Sequence, residues 1–537
     1  LEICLISLLS RGFLKFLKFR SPENLKTKEM SAKKINSALI SVYSKDGLEE
    51  IVRELNRLGV KIYSTGGTQG FIEGLGIEVE TVEKLTSYPS ILDGRVKTLH
   101  PKVFGGLLAR REESHLAQLK EYGIPEIDLV IVDLYPFEET VAKTKDEDAI
   151  VEKIDIGGIS LIRAAAKNYR DVVVVPSKEE YELFFKLLKE KRGSSELEDR
   201  RELARRAFKV SSNYDIAIFN YFNEGTTDIS FKYSIHRSDI LRYGENPHQS
   251  GVFFGDFDKL FDKLSGKEIS FNNMVDIDAA VQVMREFKKD EPTFAILKHT
   301  NTCGLATRPT MQEAWDAALA CDNVSAFGGI FVSNGSLDLA TAQSIHPLFY
   351  EVLIAPDFEE DALELLRKKK KRILLKIKEF KLRKRSFRSL LNGVVEQDAD
   401  LKIETEADLH LATKKAPAES EINDLLFANI CVKHLKSNAI ALVKDKQLIG
   451  MGCGQPSRVD SLKQAIAKAQ AFGFDLKGGV MASDAFFPFP DCVEIADKVG
   501  ITAVIQPGGS IRDGESIGYC DKNEMAMVLT GTRHFKH

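Results

Sequence analysis

From Ala38 onward the apolar positions switch between two spacings. ALISVY is a short apolar run, whereas DGLEEIVRELNRLG carries Leu48, Ile51, Val52, Leu55 and Leu58 at helical intervals with charges between them. VKIYS and GGTQGFIEGLG repeat the succession, which predicts a βαβ unit and a parallel sheet covered on both faces. IDLVIVDLYPF predicts a further buried strand, IDIGGISLIRAAAKN an alanine-rich helix, and DVVVVPS a last strand. On that helix Arg163 and Lys167 stand four residues apart, hence on one face. Two amphipathic helical stretches, over 178–192 and 196–222, lead to Asn223-Glu-Gly-Thr-Thr, expected as a linker.

Beyond the linker, FAILKHTNTCG runs four apolar residues into Lys298 and His299. Neighbouring residues on a regular strand face opposite ways, so these two share a pocket only if the strand breaks there, and the Asn-Thr-Cys-Gly run is expected to break it. A cation and a titratable base at a strand exit mark a candidate site. The alternative is a solvated Lys298 and a hydrogen-bonded His299 at a strand end. Ser64-Thr65-Gly66-Gly67-Thr68, between strand and helix, is a phosphate loop or a plain turn; it matches neither GxxxxGK[ST] nor GxGxxG. Arg95, Lys97, Thr98 and His100 crowd into six residues, as a phosphate-holding cluster or a solvated loop.

A length of 537 residues predicts two to four domains, and 43% hydrophobic with 29% charged residues is ordinary for a globular protein. The net charge of -4 makes no case for a nucleic-acid or membrane partner, and the basic run from Arg367 to Arg388 is expected to be a solvated face. Seven cysteines without a CxxC pair suggest neither a disulfide framework nor a zinc site and fit a reducing cytoplasm. Residues 1–29, apolar and then basic, are expected to be upstream reading or a disordered tail, with a targeting peptide as the lesser alternative.

SVYSKDGL, STGGT, GRVKTLHP, DLYPF and IDIGGISLIRAAAKN are followed in order by LRYGENPHQ, LKHTNTCG, VSAFGGI, LIAPDFEEDAL, SNAIAL, GCGQPSRVDS, SDAFFPFPD and TGTRHFKH. Over Ala38 to His537 the chain resembles the bifunctional purine-biosynthesis family that joins AICAR transformylase to IMP cyclohydrolase. The resemblance implies an α/β fold: a methylglyoxal-synthase-like parallel-sheet domain over 33–226, after a tail at 1–32, and two cytidine-deaminase-like subdomains over 227–537. It implies AICAR, formyl-AICAR and IMP as ligands, 10-formyltetrahydrofolate as cosubstrate, and a homodimer in which the Arg242-Tyr243 segment comes from the partner. Zinc is not expected, since no HxE precedes a PCxxC.

The transformylase has to deprotonate a weakly nucleophilic amine and stabilise a tetrahedral oxyanion. Histidine titrates near neutrality, so His299 suits the base and Lys298 the oxyanion or the leaving nitrogen, with Asn438 as a neutral donor or an orienter of the amine. The resemblance assigns the substrate phosphate to Arg242, Tyr243 and Arg533, further nucleotide contacts to Phe327, Gly328, Glu351, Arg458 and Phe486, and the folate to Val459, Pro488, Phe489 and Asp491. Residues 486–489 read equally as a core cluster. For ring closure it places Lys97 near the formyl oxygen, Tyr135 and Asp155 in proton handling and Lys167 as a further cation. The resemblance implies that Ser41, Lys45, Thr65, Gly66, Gly67, Thr68, Arg95 and Thr98 surround the phosphate. Asp133 and Tyr43 depart from the family's pattern, which reads Asn and a small hydroxyl residue there. The rival reading is a transformylase whose N-terminal domain senses phosphate; a sensor needs the loop but not Lys97, Tyr135, Asp155 and Lys167.

Overall fold

The computed structural model describes residues 32–226, 229–287 and 291–537, apart from the side chain of Asp93. The tail expected at the amino end lies outside them. The chain forms two compact units, one ending at His236 and the other running from Arg237 to His537.

In the first unit the strands are β1 (Ser37–Val42), β2 (Lys61–Ser64), β3 (Glu80–Thr81), β4 (Leu129–Asp133) and β5 (Val173–Val175). They form one sheet in the order β3-β2-β1-β4-β5, parallel throughout. The helices used below are α1 (Leu48–Arg57), α2 (Gly66–Gly74), α3 (Pro101–Leu108), α4 (Gly157–Lys167), α5 (Tyr181–Glu190) and α6 (Leu197–Asn223). Side chains alternate across β1: Ala38, Ile40 and Val42 pack with α1 and α5, while Leu39 packs with α3, α4 and α6. Burial on both faces explains why these strands read as unbroken apolar runs. The chain order reverses between β1 and β4, which opens a crevice at their carboxyl ends.

The second unit holds a twelve-stranded sheet built from two copies of one arrangement. The first copy contains β6 (Phe261–Ser265), α7 (Phe271–Met284), β7 (Thr293–Lys298), β8 (Asn301–Thr307), α8 (Met311–Cys321), β9 (Gly329–Ser333), α9 (Leu339–Ile345), β10 (Tyr350–Ala355), α10 (Glu360–Arg367) and β11 (Ile373–Ile377). The second contains β12 (His410–Leu411), α11 (Glu419–Lys433), β13 (Ile440–Lys444), β14 (Gln447–Gly452), α12 (Arg458–Ala471), β15 (Val480–Ser483), α13 (Asp491–Lys498), β16 (Ala503–Gln506), α14 (Asp513–Lys522) and β17 (Ala526–Leu529). Each copy has a central strand, β7 or β13, antiparallel to both neighbours, then three parallel strands and an antiparallel edge strand. The copies join through β8 and β14, antiparallel, with Ala306 opposite Gln447.

Here the structure corrects one expectation. The Asn-Thr-Cys-Gly run does not break the strand; it enters β8 and pairs with β7. Gly304 lies inside the strand because a Cβ there would come within 2.1 Å of the Ala318 carbonyl of α8. Gly450, at the same register of the second copy, meets Ala465 O of α12 at 2.5 Å. The turn is made by His299 and Thr300 instead, both left-handed at φ 51° and 65°. Asp445 and Lys446 make the matching turn at φ 53° and 50°. The basic run is mostly an exposed face, except that Arg372 is buried with its guanidinium over Tyr350.

Candidate functional site

Two clusters carry chemistry, one in each unit. In the first, β1 and β4 deliver their last residues to the crevice, with Val42 opposite Asp133 and half-buried Ser41 opposite Val132. Two helices, α2 and α4, begin here, and their free N–H groups favour an anion. The Thr68 hydroxyl is committed to β1: it accepts from Val42 N–H (3.1 Å) and donates to Val42 O (3.0 Å). Gly66 is left-handed at φ 54°, and the Lys97 ammonium would stand 3.1 Å from a Cβ there. The buried Thr65 hydroxyl has no hydrogen-bond partner among the described residues. Thr98 packs against Gly157, where a Cβ would approach its hydroxyl to 2.9 Å. The phosphate loop, Lys97, Thr98 and the start of α4 therefore converge.

Asp155 is held just before that helix. Its carboxylate accepts Gly158 N–H at 2.6 Å, and its own N–H donates to the Tyr214 hydroxyl at 2.9 Å. Burial raises its carboxyl above the ordinary value, opposed by N–H donors from Gly158, Tyr135 and Ile159. Burial, then Asp155, raises the Tyr135 phenol. Burial lowers the Lys45 ammonium, which donates to Val42 O (2.6 Å) and Tyr43 O (3.0 Å). The two departures from the family's pattern have local explanations. Tyr43 packs edge-on to Tyr135 at 5.5 Å, and Lys153 lies over both rings. Asp133 accepts Ser44 N–H at 3.0 Å, and burial raises its carboxyl.

Three expected members behave differently. Lys167 closes α4 and lies beside Arg111, Asn168 and Asp171, where β5 is about to begin. It is at the opposite end of the strands from Asp155, because a helix rises about 1.5 Å per residue between Gly157 and Lys167. Arg95 is exposed and pairs with Glu152. His100 caps α3, its ring nitrogen accepting Lys102 N–H at 3.1 Å.

In the second unit, Lys298 ends β7 and donates from its ammonium to Phe327 O at 2.7 Å. Gly328, left-handed at φ 69°, leaves room for that ammonium, which would stand 3.2 Å from a Cβ. Exposed Phe327 leans on Phe349, and Glu351 pairs with Lys267 at 2.5 Å. His299 is exposed on its turn, which Asp276 of α7 fixes by accepting Thr300 N–H at 2.8 Å. Burial raises the Asp276 carboxyl, against the Thr300 N–H and the charges of His299 and Lys298.

The antiparallel join brings the second copy to this end of the strands, since Asn301 touches Cys453 just beyond β14. Asn438 precedes β13 there. Its amide donates to Gln455 O (3.0 Å) and Pro456 O (3.1 Å), and its Oδ1 accepts from Arg458 Nη2 (2.9 Å). Arg458 was expected at the nucleotide but is buried, bound to Asp484 (2.8 Å) and Phe486 O (3.0 Å). Its guanidinium orients Asn438 rather than facing solvent.

The expected aromatic cluster divides: Phe487 is core, whereas Phe486, Pro488 and Phe489 are exposed, with Arg512 over Phe489. Val459 is half-buried, and Asp491 starts α13. Arg242 stacks on Tyr243 and donates to its hydroxyl at 2.7 Å. Arg533 is exposed near the chain end, over Phe535.

At the opposite end of the strands the second copy repeats the framework without the chemistry. Lys444 donates to Lys477 O at 2.8 Å beside left-handed Gly478, as Lys298 does to Phe327 O. Asp424 accepts Asp445 N–H and Lys446 N–H at 2.8 and 2.7 Å, as Asp276 does for Thr300. Asp445 stands where His299 stands, so of these two turns only the first carries an imidazole. Sequence reasoning missed Asp276, Lys153 and Tyr214, which come from other elements and carry no local motif. It also missed His534, whose only signal was its place beside Arg533. Among the described residues no group of three or more His, Cys, Asp or Glu side chains is placed to hold a metal ion.

Two family models match the chain in succession, meeting inside α4 of the first unit rather than at the boundary between the units. A family model described as AICARFT/IMPCHase bienzyme matches residues 165–468, and one described as MGS-like domain matches 47–160. The bifunctional purine biosynthesis protein PurH of Bacteroides thetaiotaomicron is 60% identical over 507 residues, 94% of this chain and 99% of that protein. Proteins of the same description from Chlorobium phaeobacteroides and Pelodictyon phaeoclathratiforme are each 47% identical, over 95% of this chain and 100% of theirs. The chain belongs to the AICARFT/IMPCHase bienzyme family.

Proposed function

We propose that the two reactions of the family divide between the two units. The chain is an AICAR transformylase and IMP cyclohydrolase, acting at the last two steps of purine synthesis. In the second unit His299 takes the proton of the AICAR amine as nitrogen attacks the formyl carbon of 10-formyltetrahydrofolate. The Lys298 ammonium keeps N–H bonds beyond the one given to Phe327 O, and these stabilise the oxyanion and then protonate the departing folate nitrogen. Asn438 acts through the remaining lone pair of Oδ1, accepting an amine N–H, because its own N–H groups are occupied. Arg242, Tyr243 and Arg533 hold the phosphate. Phe486 contacts the nucleotide, and Val459, Pro488, Phe489 and Asp491 line the folate side. A homodimer supplies the Arg242-Tyr243 pair from the partner subunit.

In the first unit the loop Thr65 to Thr68, with Ser41, Lys45 and Thr98, takes the phosphate. Lys97 polarises the formyl oxygen, and Asp155 with Tyr135 moves protons as the carboxamide nitrogen closes the ring and water leaves. The observation that carries the reading is the approach of Lys298, His299 and Asn438, from two copies of one fold, at one end of the central strands of the sheet. The experiment is His299→Ala in the full chain. Formyl transfer is expected to be lost, with closure of supplied formyl-AICAR intact; loss of both activities in a folded protein would count against the division.

A further inference from the structure

The last residues of the chain are fastened on two sides. On one, the buried His534 ring places Nδ1 2.6 Å from Asp400 Oδ2 and Nε2 3.1 Å from Glu404 Oε2. A neutral imidazole donates through one nitrogen only, so two carboxylates bracketing both nitrogens select the imidazolium. Burial alone would depress the ring, but the two carboxylates outweigh it and lift it to about 9. Lys402 adds a hydrogen bond to the Thr532 hydroxyl at 2.9 Å. On the other side, His534 N–H donates to Asp484 O (3.1 Å), Ser437 N–H to Lys536 O (2.9 Å) and Lys536 N–H to the Ser437 hydroxyl (3.0 Å). Asp484 is the carboxylate that holds Arg458, which in turn holds Asn438. Between Thr532 and His534 sits exposed Arg533.

We propose that His534 is a positioning residue of the transformylase: by gripping Asp400 and Glu404 it fixes the terminal segment so that Arg533 meets the phosphomonoester dianion of the substrate. This rests on the assignment of Arg533 to the phosphate made above. Packing alone would not call for such a triad, since apolar replacements of buried ion pairs are often neutral or stabilising. The ion-paired ring instead gives the segment a single path, with His534 inward and Arg533 outward.

The test compares His534→Ala, Arg533→Ala and the double variant in the full chain. Each is assayed for KM and kcat with AICAR at saturating folate, and closure of formyl-AICAR serves as an internal check on folding. His534→Ala is expected to raise KM for AICAR about tenfold with kcat within about threefold, and the double variant to be no worse than Arg533→Ala. Effects that multiply in the double variant, or a fall in kcat at unchanged KM, would overturn the proposal. If His534→Ala does not fold, Asp400→Asn at the half-exposed partner is expected to raise KM about threefold, and an unchanged KM would overturn it equally. An Arg533→Ala variant with normal KM would instead refute the phosphate assignment on which the proposal stands.

Discussion

Asp276→Ala perturbs the turn that aims His299 without touching either reacting side chain. The carboxylate accepts Thr300 N–H at 2.8 Å, and the turn holds two non-glycine residues at φ 51° and 65°. A hydrogen bond to a charged partner contributes about 1.5–3 kcal/mol, and each left-handed residue costs about 1–2 kcal/mol. Removing the acceptor therefore takes away stabilisation comparable to the strain it opposes, and the turn relaxes. A displacement of about 1 Å in a catalytic group costs about 10²-fold, so kcat/KM for formyl transfer should fall by about that factor. Asp276→Asn keeps an acceptor and should lose less than about tenfold. The control is Asp424→Ala, which removes two N–H acceptors from the matching turn at the other end of the strands. It should cost at least as much thermal stability yet leave formyl transfer within about twofold. The assay is steady-state formyl transfer beside a thermal melt of each variant. Equal losses of transfer in Asp276→Ala and Asp424→Ala would show that stability, not aim, is being measured, and the reasoning would fail.

Other outcomes follow from the same sites. Lys97→Ala, given AICAR and 10-formyltetrahydrofolate, should stall at a small, reversible level of formyl-AICAR, because ring closure draws the formylation forward; complete conversion without a cyclase would contradict this. The His534 ring is raised from 6.5 to about 9, so its stabilisation is complete below pH 6.5 and is lost as pH rises through about 9. That is on the order of 3 kcal/mol, and melts from pH 7 to 10 should fall less steeply in His534→Gln than in the parent. Sedimentation should give twice the chain mass of 60.0 kDa, and full transformylase activity from a demonstrated monomer would refute the shared site.

The parallel sheet of the first unit was legible because burial on both faces writes each strand as an apolar run. The β7–β8 hairpin was not: Thr-Asn-Thr-Cys-Gly has the composition of a turn, and the reasons it is a strand lie elsewhere, in α8 against Gly304 and in Asp276 beneath Thr300. Spacing placed Arg163 and Lys167 on one face of α4 but said nothing of height along it, and height is what separates Lys167 from Asp155. Arg458 reads as an exposed binding residue until Asp484, Asn438 and Phe486 O are seen around it. The duplication is written in strand register and turn geometry and in scattered pairs such as Lys298/Lys444, Asp276/Asp424 and Gly304/Gly450, which announce no repeat along the sequence.

The most direct measurement mixes two damaged proteins. His299→Ala and Lys97→Ala, each supplied alone with AICAR and 10-formyltetrahydrofolate, should make almost no IMP, and the two together should restore steady IMP formation through formyl-AICAR in solution. IMP formed at the parental rate by either variant alone, or none from the mixture of two folded proteins, would contradict the division of the two reactions between the two units.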